Sequence, residues 1–292
     1  MAVYENSIWI KTLKLLGFAR LAWSLRRLYC PVPKEALVLE VGSGGNPYSR
    51  SNVLLDAYEH TRERHWAPLI TDRPTVLGFA ENLPFKDKSF DFVIASHVLE
   101  HSSDPQRFLS ELQRVAKAGY IETPDAFMER VNPYKDHRLE VTVRDGRLVI
   151  KKKTAWQQDA ELVELYENKA KKWVTSETIP NHPFDFHVRY YWQNAVEFEV
   201  LNPEVDSAWQ APINEGAIVR NTSLKKDFRQ SIRNILRTLQ SQTSRNRALE
   251  VNSLLRCPKC FHNHLIKNSN KLVCSACNQV YEVRNNVPIL MI

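Results

Sequence analysis

Residues 36–45 read Ala-Leu-Val-Leu-Glu-Val-Gly-Ser-Gly-Gly, and they carry the strongest indication of the fold. Its first six residues form a largely apolar run, which is typical of a buried strand. The run ends at Gly42, Gly44 and Gly45, which are three of only eight glycines in 292 residues. Glycine lets the backbone take positive φ and approach a ligand closely. We therefore expect a strand that leads into a ligand-binding loop.

One acid extends this pattern. Asp56 lies fourteen residues after Gly42, at the end of a second strand-like run, Val53–Leu55. A carboxylate at that place can accept hydrogen bonds from both hydroxyls of a ribose. A glycine loop followed by a strand-end acid indicates a nucleoside-cofactor site, and these residues alone fit either NAD or S-adenosylmethionine.

The chain beyond the loop continues the alternation of strands and helices. Three further runs predict buried strands, at Val76–Phe79, Phe90–Ala95 and Tyr120–Glu122. Asp104, followed by proline, predicts the start of a helix, because Asp is a good N-cap and proline fits the first helical position. We expect this helix to end at Gly119. The alternation predicts βαβ units, and so an α/β fold with a mostly parallel sheet.

Taken together, these segments resemble a known enzyme family. Residues 39–44 are similar to motif I of class I S-adenosylmethionine-dependent methyltransferases of type 11, and residues 80–85, 89–93 and 96–101 are similar to their later blocks. The resemblance covers roughly residues 36–124. It implies a Rossmann-like methyltransferase sheet, mostly parallel with an antiparallel last strand, and S-adenosylmethionine as the cofactor. The residues implied to bind it are Glu40, Gly42, Ser43 and Gly44 for the methionine moiety, Asp56 for the ribose, Glu81 and Asn82 beside the adenine, and Ser96 at the sulfonium end.

The acceptor should meet the sulfonium at the carboxyl ends of the fourth and fifth strands, close to Ser96, His97, Glu122 and Thr123. Methyl transfer needs alignment of the acceptor and, where the acceptor carries a proton, a base. His97 is the candidate catalytic base, because imidazole titrates near neutral pH. His101 is expected instead to cap a helix or to bind a backbone carbonyl.

The same segment also fits a different motif. His97-x-x-Glu100-His101 has the spacing of the inverted zinc proteases. It follows a strand directly instead of lying within a helix, and no further metal ligand is evident from the sequence. We therefore interpret it as part of the cofactor pocket.

Residues 124–184 are predicted to be an insertion that recognises the acceptor, because this segment is rich in aromatic residues and lies after the fifth strand. Asp145-Gly146 within it predicts a β-hairpin. The runs Phe186–Trp192 and Val196–Leu201 have only a short connection between them. We expect these two strands to pair with each other in an antiparallel manner.

Four of the five cysteines form two Cys-x-x-Cys pairs, Cys257 with Cys260 and Cys274 with Cys277. With thirteen residues between them, two such pairs supply four thiolates for one tetrahedral Zn²⁺ ion. A segment this short has too little core to fold unaided, which predicts a structural role for the metal. Cysteines used in this way predict a reducing compartment.

Residues 254–260 and 281–290 resemble the small zinc-ribbon proteins that bind and activate several methyltransferases. The resemblance implies an enzyme fused to its own activator, with an intramolecular contact between ribbon and methyltransferase domain. The ending Val287–Ile292 is too apolar to leave in water. We expect it to pair with, or cover, an edge of the catalytic domain.

The net charge of +7 is unevenly distributed. Residues 35–219 contain 21 bases and 29 acids, a net charge of −8, whereas residues 220–256 carry +7. Because nucleic-acid enzymes usually place positive charge around the cleft, this pattern favours a small-molecule or glycan acceptor. An RNA (tRNA) methyltransferase that binds through its basic flanks is the alternative, and a non-catalytic cofactor-binding scaffold is a third. The basic residues behind the RNA alternative are Lys225, Lys226, Arg229, Arg233 and Arg237, on a predicted helix at 224–239.

Residues 1–34 predict a basic amphipathic helix. Such a helix either packs on the next domain, which we favour, or makes peripheral contact with an anionic membrane. No apolar run reaches about 18 residues and no signal peptide is evident, so we expect a cytoplasmic protein. The predicted organisation is this helix at 1–34, a methyltransferase domain at 35–220, a helix and linker at 221–253, and a zinc ribbon at 254–292.

Overall fold

The structure is a computed structural model that describes residues 7–61, 64, 67–156, 159–210 and 241–292. Its strands form a six-stranded main sheet, a three-stranded sheet and a four-stranded C-terminal sheet. In spatial order the main sheet consists of β3 (Thr75–Leu77), β2 (Val53–Asp56), β1 (Val38–Val41), β4 (Phe90–Ser96), β5 (Ala116–Pro124) and β8 (His187–Gln193).

The main sheet is parallel except at its last strand. β1 pairs in parallel with β2 on one side and with β4 on the other, so the strand order reverses beside β1. β8 runs antiparallel to β5. Every residue of β1, β2 and β3 is buried, as expected for parallel strands covered on both faces. The predicted Rossmann-like methyltransferase sheet with an antiparallel last strand is confirmed, and ligands bind such sheets at the reversal point.

Two short helices, α1 (Ile8–Leu15) and α2 (Ala19–Leu25), stand where one amphipathic helix was predicted. Gly17 separates them at a φ of 80°, a left-handed conformation that ends α1 and turns the chain. Ile10 and Ala22 are fully buried, so both helices pack on the domain. In the described part of the chain, no helix has the length and apolar character needed to cross a bilayer.

Helix α3 spans Pro105–Val115, and the side chain of Asp104 caps its first turn as predicted. Its end differs from the prediction, because β5 begins at Ala116 and Gly119 lies inside that strand. A Cβ atom at Gly119 would lie 2.6 Å from Nε1 of Trp192. Glycine is therefore needed here so that the indole of β8 can cross β5, and it does not end the helix.

The insertion begins with helix α4 and a hairpin. Asp145 and Gly146 have φ values of 49° and 76°, as a type I′ turn requires, so the predicted hairpin is confirmed. A long helical segment follows, in which α-helical turns alternate with π-helical ones. The elements are α4 (Ala126–Val131), β6 (Leu139–Arg144), β7 (Arg147–Lys152), α5 (Ala160–Leu165), α6 (Lys171–Trp173) and α7 (Ile179–Asn181), with π-helical turns at Tyr166–Ala170 and Val174–Thr178.

Strand β9 (Phe198–Val200) does not pair with β8, so the predicted antiparallel pair is wrong. Asn194 turns the chain out of the main sheet at a φ of 67°. β9 then pairs in parallel with β7, and Leu201 N donates to the carbonyl of Ile150 at 2.9 Å. The hairpin edge offers unpaired backbone groups that this segment satisfies, which a short connection alone did not predict.

The predicted linker is partly a docked helix, α8 (Thr243–Ala248). Asn52 Nδ2 donates to Oδ1 of Asn246 at 2.8 Å, and Arg245 Nη1 donates to the carbonyl of Lys34 at 2.7 Å. These bonds fix α8 at the start of the main sheet because they satisfy backbone and amide groups there. The predicted helix at 224–239 lies outside the described residues.

The C-terminal segment forms a small antiparallel sheet and joins the main one. Leu290 N donates to the carbonyl of Leu77 at 2.8 Å, and Ile289 forms a parallel bridge with Leu77 beside β3. The predicted pairing of this apolar ending with an edge of the catalytic domain is therefore confirmed. The strands are β10 (Leu265–Asn268), β11 (Lys271–Cys274), β12 (Val280–Arg284) and β13 (Val287–Pro288).

Candidate active site

The glycine loop follows β1 at the reversal point of the sheet. Gly42 and Gly44 have φ values of 68° and 57°, which favour glycine. Gly42 N donates to the carbonyl of Leu55 at 2.8 Å, and so ties the loop to β2. A Cβ atom on Gly42 would lie 2.1 Å from Cγ2 of Val98, in the loop after β4. The two loops therefore meet over the carboxyl ends of β1 and β4.

Glu40 and Ser43, both predicted to contact the methionine moiety, are buried. The carboxylate of Glu40 accepts from Tyr48 N at 2.8 Å and from Ser51 Oγ at 2.5 Å. Burial raises the pKa of Glu40 to about 7, although the bond from Ser51 and the charge of Arg27 oppose the shift. Glu40 thus holds the segment after the glycines. The hydroxyl of Ser43 has no hydrogen-bond partner among the described residues.

Asp56, predicted to bind the ribose, lies directly beside the loop. Its Oδ2 accepts from Gly44 N at 2.9 Å, and its Oδ1 accepts from Arg64 Nη1 at 2.7 Å. The ring of Tyr58 packs edge-on against that of Phe79 at 6.2 Å, so aromatic side chains border this acid. Oδ1 also accepts from Tyr58 N at 3.2 Å. A carboxylate has about four lone-pair sites, so Asp56 keeps acceptor capacity beyond these three bonds.

Glu81 and Asn82, predicted to lie beside the adenine, are both bonded to protein groups. Glu81 Oε1 accepts from Ser102 Oγ at 2.6 Å. Asn82 Nδ2 donates to the carbonyl of Pro258 at 3.0 Å, which lies between the first two cysteines. The structure therefore places the C-terminal domain against the segment after β3. Sequence reasoning missed this contact between Asn82 and Pro258.

A buried carboxylate, Glu122, organises the end of β5. It accepts two hydrogen bonds from Arg26, at 2.8 Å from Nε and 2.7 Å from Nη2. Ser96 Oγ donates to it at 3.0 Å and Tyr120 Oη at 2.5 Å. Burial opposes ionisation, but the charge of Arg26 and its neighbours hold the pKa of Glu122 well below its usual range. Glu122 is therefore an anion at neutral pH, and it fixes Ser96 at the predicted sulfonium end.

His97, the candidate base, lies between two carboxylates. Its Nδ1 is 3.3 Å from Glu100 Oε1, its Nε2 is 3.4 Å from Glu122 Oε1, and its φ is 59°. Burial alone would lower the pKa of His97, but interaction with Glu100 and Glu122 outweighs it and raises the pKa to about 9. In this arrangement His97 is a cation at neutral pH, and so a hydrogen-bond donor.

The N-terminal helices also contribute to this region, which sequence reasoning missed. Arg26, directly after α2, stacks 3.5 Å above the ring of Trp23. Trp23 packs against Phe184 at 5.2 Å and against His187 at 4.6 Å. Trp23 and Arg26 are three residues apart, which places them next to each other on a helix surface. This spacing was the sequence signal for their contact. Together α2 and the end of the insertion cover Glu122.

Comparison with known proteins identifies the kind of domain that contains these residues. Residues 39–121 match the methyltransferase domain family. The chain is 32% identical over 105 residues to the ubiquinone/menaquinone biosynthesis C-methyltransferase UbiE of Xanthomonas oryzae pv. oryzae, which covers 32% of this chain and 42% of that protein. It is 44% identical over 43 residues to norajmaline N-methyltransferase of Rauvolfia serpentina, 15% of each chain.

Among solved structures, the complex between the Haloferax volcanii Trm112 methyltransferase activator and a methyltransferase is similar with a TM-score of 0.36 and 16% identity. That alignment covers 66% of this chain and 99% of the other. The chain spans less than half the length of the curated relatives it matches. The family match, the strand order and the glycine loop show that residues 39–121 form a class I, S-adenosylmethionine-dependent methyltransferase domain.

We predict that Arg26→Ala lowers the free energy of unfolding by about 3–5 kcal/mol, because it leaves the Glu122 carboxylate buried without its main counter-charge. Urea unfolding followed by circular dichroism measures the change. Arg20→Ala, on the exposed side of α2, is the matched control and should cost less than about 0.5 kcal/mol. Equal stabilities of the two variants would show that the Arg26–Glu122 pair does not hold the N-terminal segment.

Proposed function

We propose that the protein is an S-adenosylmethionine-dependent methyltransferase that acts on a hydroxyl, carboxylate or amine of a small molecule or glycan. The observation that carries the proposal is the loop at 42–45, where positive-φ glycines lie beside the carboxylate of Asp56. The buried Ser43 hydroxyl, without a partner among the described residues, adds to it. An unpaired buried hydroxyl costs free energy, so it fits a site for a polar ligand.

The cofactor supplies an electrophilic methyl group when it is bound. Our proposal gives Gly42, Ser43 and Gly44 the methionine moiety and Asp56 the ribose. Glu40 would act by holding the segment that follows this loop, through Tyr48 and Ser51. Glu81 and Asn82 would border the adenine, and Ser96 would face the sulfonium, held there by its bond to Glu122.

For His97 we propose a role on the acceptor side. As a cation whose two ring nitrogens face Glu100 and Glu122, it offers an acceptor oxygen a nearby positive charge and has no lone pair with which to remove a proton. Proximity and orientation supply much of the rate in such displacements. We therefore propose that His97 positions the acceptor. This role replaces the general base expected from the sequence.

The insertion supports a small, polar acceptor. It contains a cavity of about 290 Å³ with charged walls, a size suited to a sugar or another small polar molecule. The net charge of −8 over residues 35–219 would repel a polyanion. The cavity is lined by Glu129, Arg130, Pro133, Glu140, Lys151, Lys153, Asp159 and Leu162.

The RNA alternative has less support. Its basic residues, from Lys225 to Arg237, lie outside the described residues, so no contact in the structure bears on them. If the protein were a non-catalytic scaffold, its cofactor loop would need no cluster of polar and ionisable side chains beside it. The cluster of Ser96, His97 and Glu122 at the neighbouring strand ends favours an enzyme instead.

We predict that the protein binds S-adenosylhomocysteine and that Asp56→Ala weakens this binding by about 1–3 kcal/mol, because the ribose hydroxyls lose their acceptor. Titration calorimetry measures both affinities. Asp185→Ala, an exposed acid in the insertion, is the control and should bind as the wild type does. Tight binding of NAD with no response to S-adenosylhomocysteine would contradict the proposal.

We propose that the four cysteines bind one structural Zn²⁺ ion. The sulfurs of Cys257 and Cys277 are 3.7 Å apart, and those of Cys260 and Cys274 are 3.5 Å apart. A tetrahedral ion with Zn–S bonds of about 2.3 Å sets its sulfurs about 3.8 Å apart, so the cluster fits. Each pair is followed by a residue with positive φ, Phe261 or Asn278, whose N–H donates back to the first cysteine of its pair.

The ribbon contacts support an activator-like role within the same chain. Arg256 N donates to the carbonyl of Pro84 at 3.0 Å, and the Arg256 guanidinium lies 3.4 Å from Glu111 on α3. With Asn82 bonded to Pro258, these contacts brace the segment proposed to border the adenine. We infer that the ribbon stabilises the cofactor side of the methyltransferase domain.

We predict one zinc ion per ribbon and a loss of both zinc and whole-protein stability in Cys274→Ser, because the fourth ligand is lost and the ribbon no longer braces the main sheet. Elemental analysis and thermal unfolding measure the two effects. Cys30→Ser, which removes the one cysteine outside the ribbon, should keep the metal. A Cys274→Ser protein with unchanged stability would contradict the bracing role.

The N-terminal helices support a further proposal, peripheral contact with an anionic membrane. Apolar side chains are exposed on α1, on α2 and in the turn between them, next to Lys11, Lys14 and Arg20. Apolar side chains flanked by bases are typical of helices that lie on anionic lipid. The exposed apolar residues are Ile8, Trp9, Leu15, Leu16, Phe18 and Leu21.

We predict that the protein sediments with vesicles containing phosphatidylserine and that high salt weakens this binding, because the basic side chains contribute electrostatic attraction. Changing both Leu15 and Leu16 to Glu should weaken it about tenfold or more, since apolar burial is lost. Leu201→Glu, at another exposed leucine, is the control. Equal binding to neutral vesicles, or none to anionic ones, would rule out this contact.

A further inference from the structure

The structure brings a third residue to the His97-x-x-Glu100-His101 segment. Glu100 and His101 lie in the 3₁₀ turn Leu99–His101 after β4, whereas His137 comes from the insertion, just before β6. One ligand-type atom from each of Glu100, His101 and His137 lies within 4.8 Å of the others. The two imidazole rings are 4.7 Å apart at an interplanar angle of 88°. The further ligand that the sequence did not reveal is thus supplied by the insertion.

Both imidazoles are held through Nδ1. His101 Nδ1 is 3.0 Å from the carbonyl oxygen of Asp136, which can only accept, so this nitrogen carries the proton. His137 Nδ1 is 2.5 Å from Oε1 of Glu129, whose other oxygen accepts from Lys153 at 3.1 Å. Histidines that ligate metals typically donate their other N–H to a carbonyl or a carboxylate. In a neutral ring held in this way, Nε2 is the ligand atom.

Glu100 is a buried carboxylate with capacity for a further partner. Its side chain is only 1% exposed, and neither carboxylate oxygen has a hydrogen-bond partner among the described residues. The imidazole of His97 provides a charge 3.3 Å from Oε1. A carboxylate so deeply buried is stable only when it is paired, hydrogen-bonded or bound to a metal.

We propose that Glu100, His101 and His137 bind one divalent transition-metal ion, with Zn²⁺ the ion that the donor set favours. Two imidazoles and one carboxylate are the ligands of many zinc sites with an open coordination position. The ion gives the oxygens of Glu100 a partner in addition to the His97 charge, and Glu129 and the carbonyl of Asp136 orient its histidines. This site is separate from the four-cysteine cluster.

The location of Glu100, His101 and His137, called the trio from here on, deepens the proposed function. The role given to the ion below rests on that proposed function. Glu100 contacts His97, and His97 contacts Glu122, so the trio adjoins the acceptor side of the site. An ion with an open position there binds an acceptor oxygen directly and holds it for methyl transfer. The insertion would then contribute to acceptor binding through His137 as well as through its cavity.

Zinc stoichiometry of the full chain tests the site. After loading with Zn²⁺ and desalting, Glu100→Gln and His137→Ala should each hold one ion fewer than the wild type, by elemental analysis. Glu100→Gln keeps the volume of the side chain, and circular dichroism checks that the variant folds. His182→Ala, which removes an exposed histidine of the same insertion, should keep the wild-type count. Equal counts in the wild type and in a folded Glu100→Gln would overturn the proposal.

A second measurement separates the trio from the ribbon and from the cofactor site. Glu129→Gln should weaken zinc affinity about 10–100-fold, because the carboxylate that orients His137 is lost. Cys274→Ser should lose the ribbon ion while the ion at Glu100 remains. S-adenosylhomocysteine binding by calorimetry should be unchanged in Glu100→Gln. Failure of the wild type to bind S-adenosylhomocysteine would overturn the proposed function and leave the metal result standing. Zinc affinity that Glu129→Gln leaves unchanged would count against the trio.

Discussion

The buried carboxylate of Glu122 is the constraint on which the arrangement of the site depends. A charge removed from water at the end of β5 is stable only with a counter-charge and several donors. Arg26 supplies the counter-charge, and Ser96 and Tyr120 supply further donors. Because Arg26 precedes the whole main sheet in the chain, this pair fixes the N-terminal helices over the strand ends. The same carboxylate also positions His97.

On the cofactor side of the site, the ends of β1, β2 and β3 are organised by backbone contacts. The glycines after β1 bring the loop against Val98 on one side and against the end of β2 on the other. β3, at the border of the sheet, would expose unpaired backbone groups that attract other chains. The C-terminal segment covers that edge through Leu290 and reaches the segment after β3 through Pro258. Edge protection and support of the predicted adenine side thus come from two contacts of the same C-terminal domain.

Ionisable groups continue from this site into the insertion without a break. His97 connects Glu122 with Glu100, which lies beside His101 and His137. Glu129 then connects His137 with Lys153, which lines the cavity of the insertion. Hydrogen bonds and ion pairs in a poorly solvated region are stronger than in water. This series of contacts joins the main sheet to the insertion.

Whereas the antiparallel last strand was implied by the family resemblance, local sequence patterns predicted the individual strands of the main sheet, the capped start of α3, the hairpin turn at Asp145 and the two cysteine pairs. Each of these depends on residues a few positions apart, and local periodicity or turn chemistry is enough to specify them. Contacts between distant segments were needed to establish that β9 joins β7, that Gly119 makes room for Trp192, and that His137 meets Glu100. The physical reason is that a sequence pattern indicates which face of an element is buried. Which distant segment covers that face depends on the packing of the whole chain.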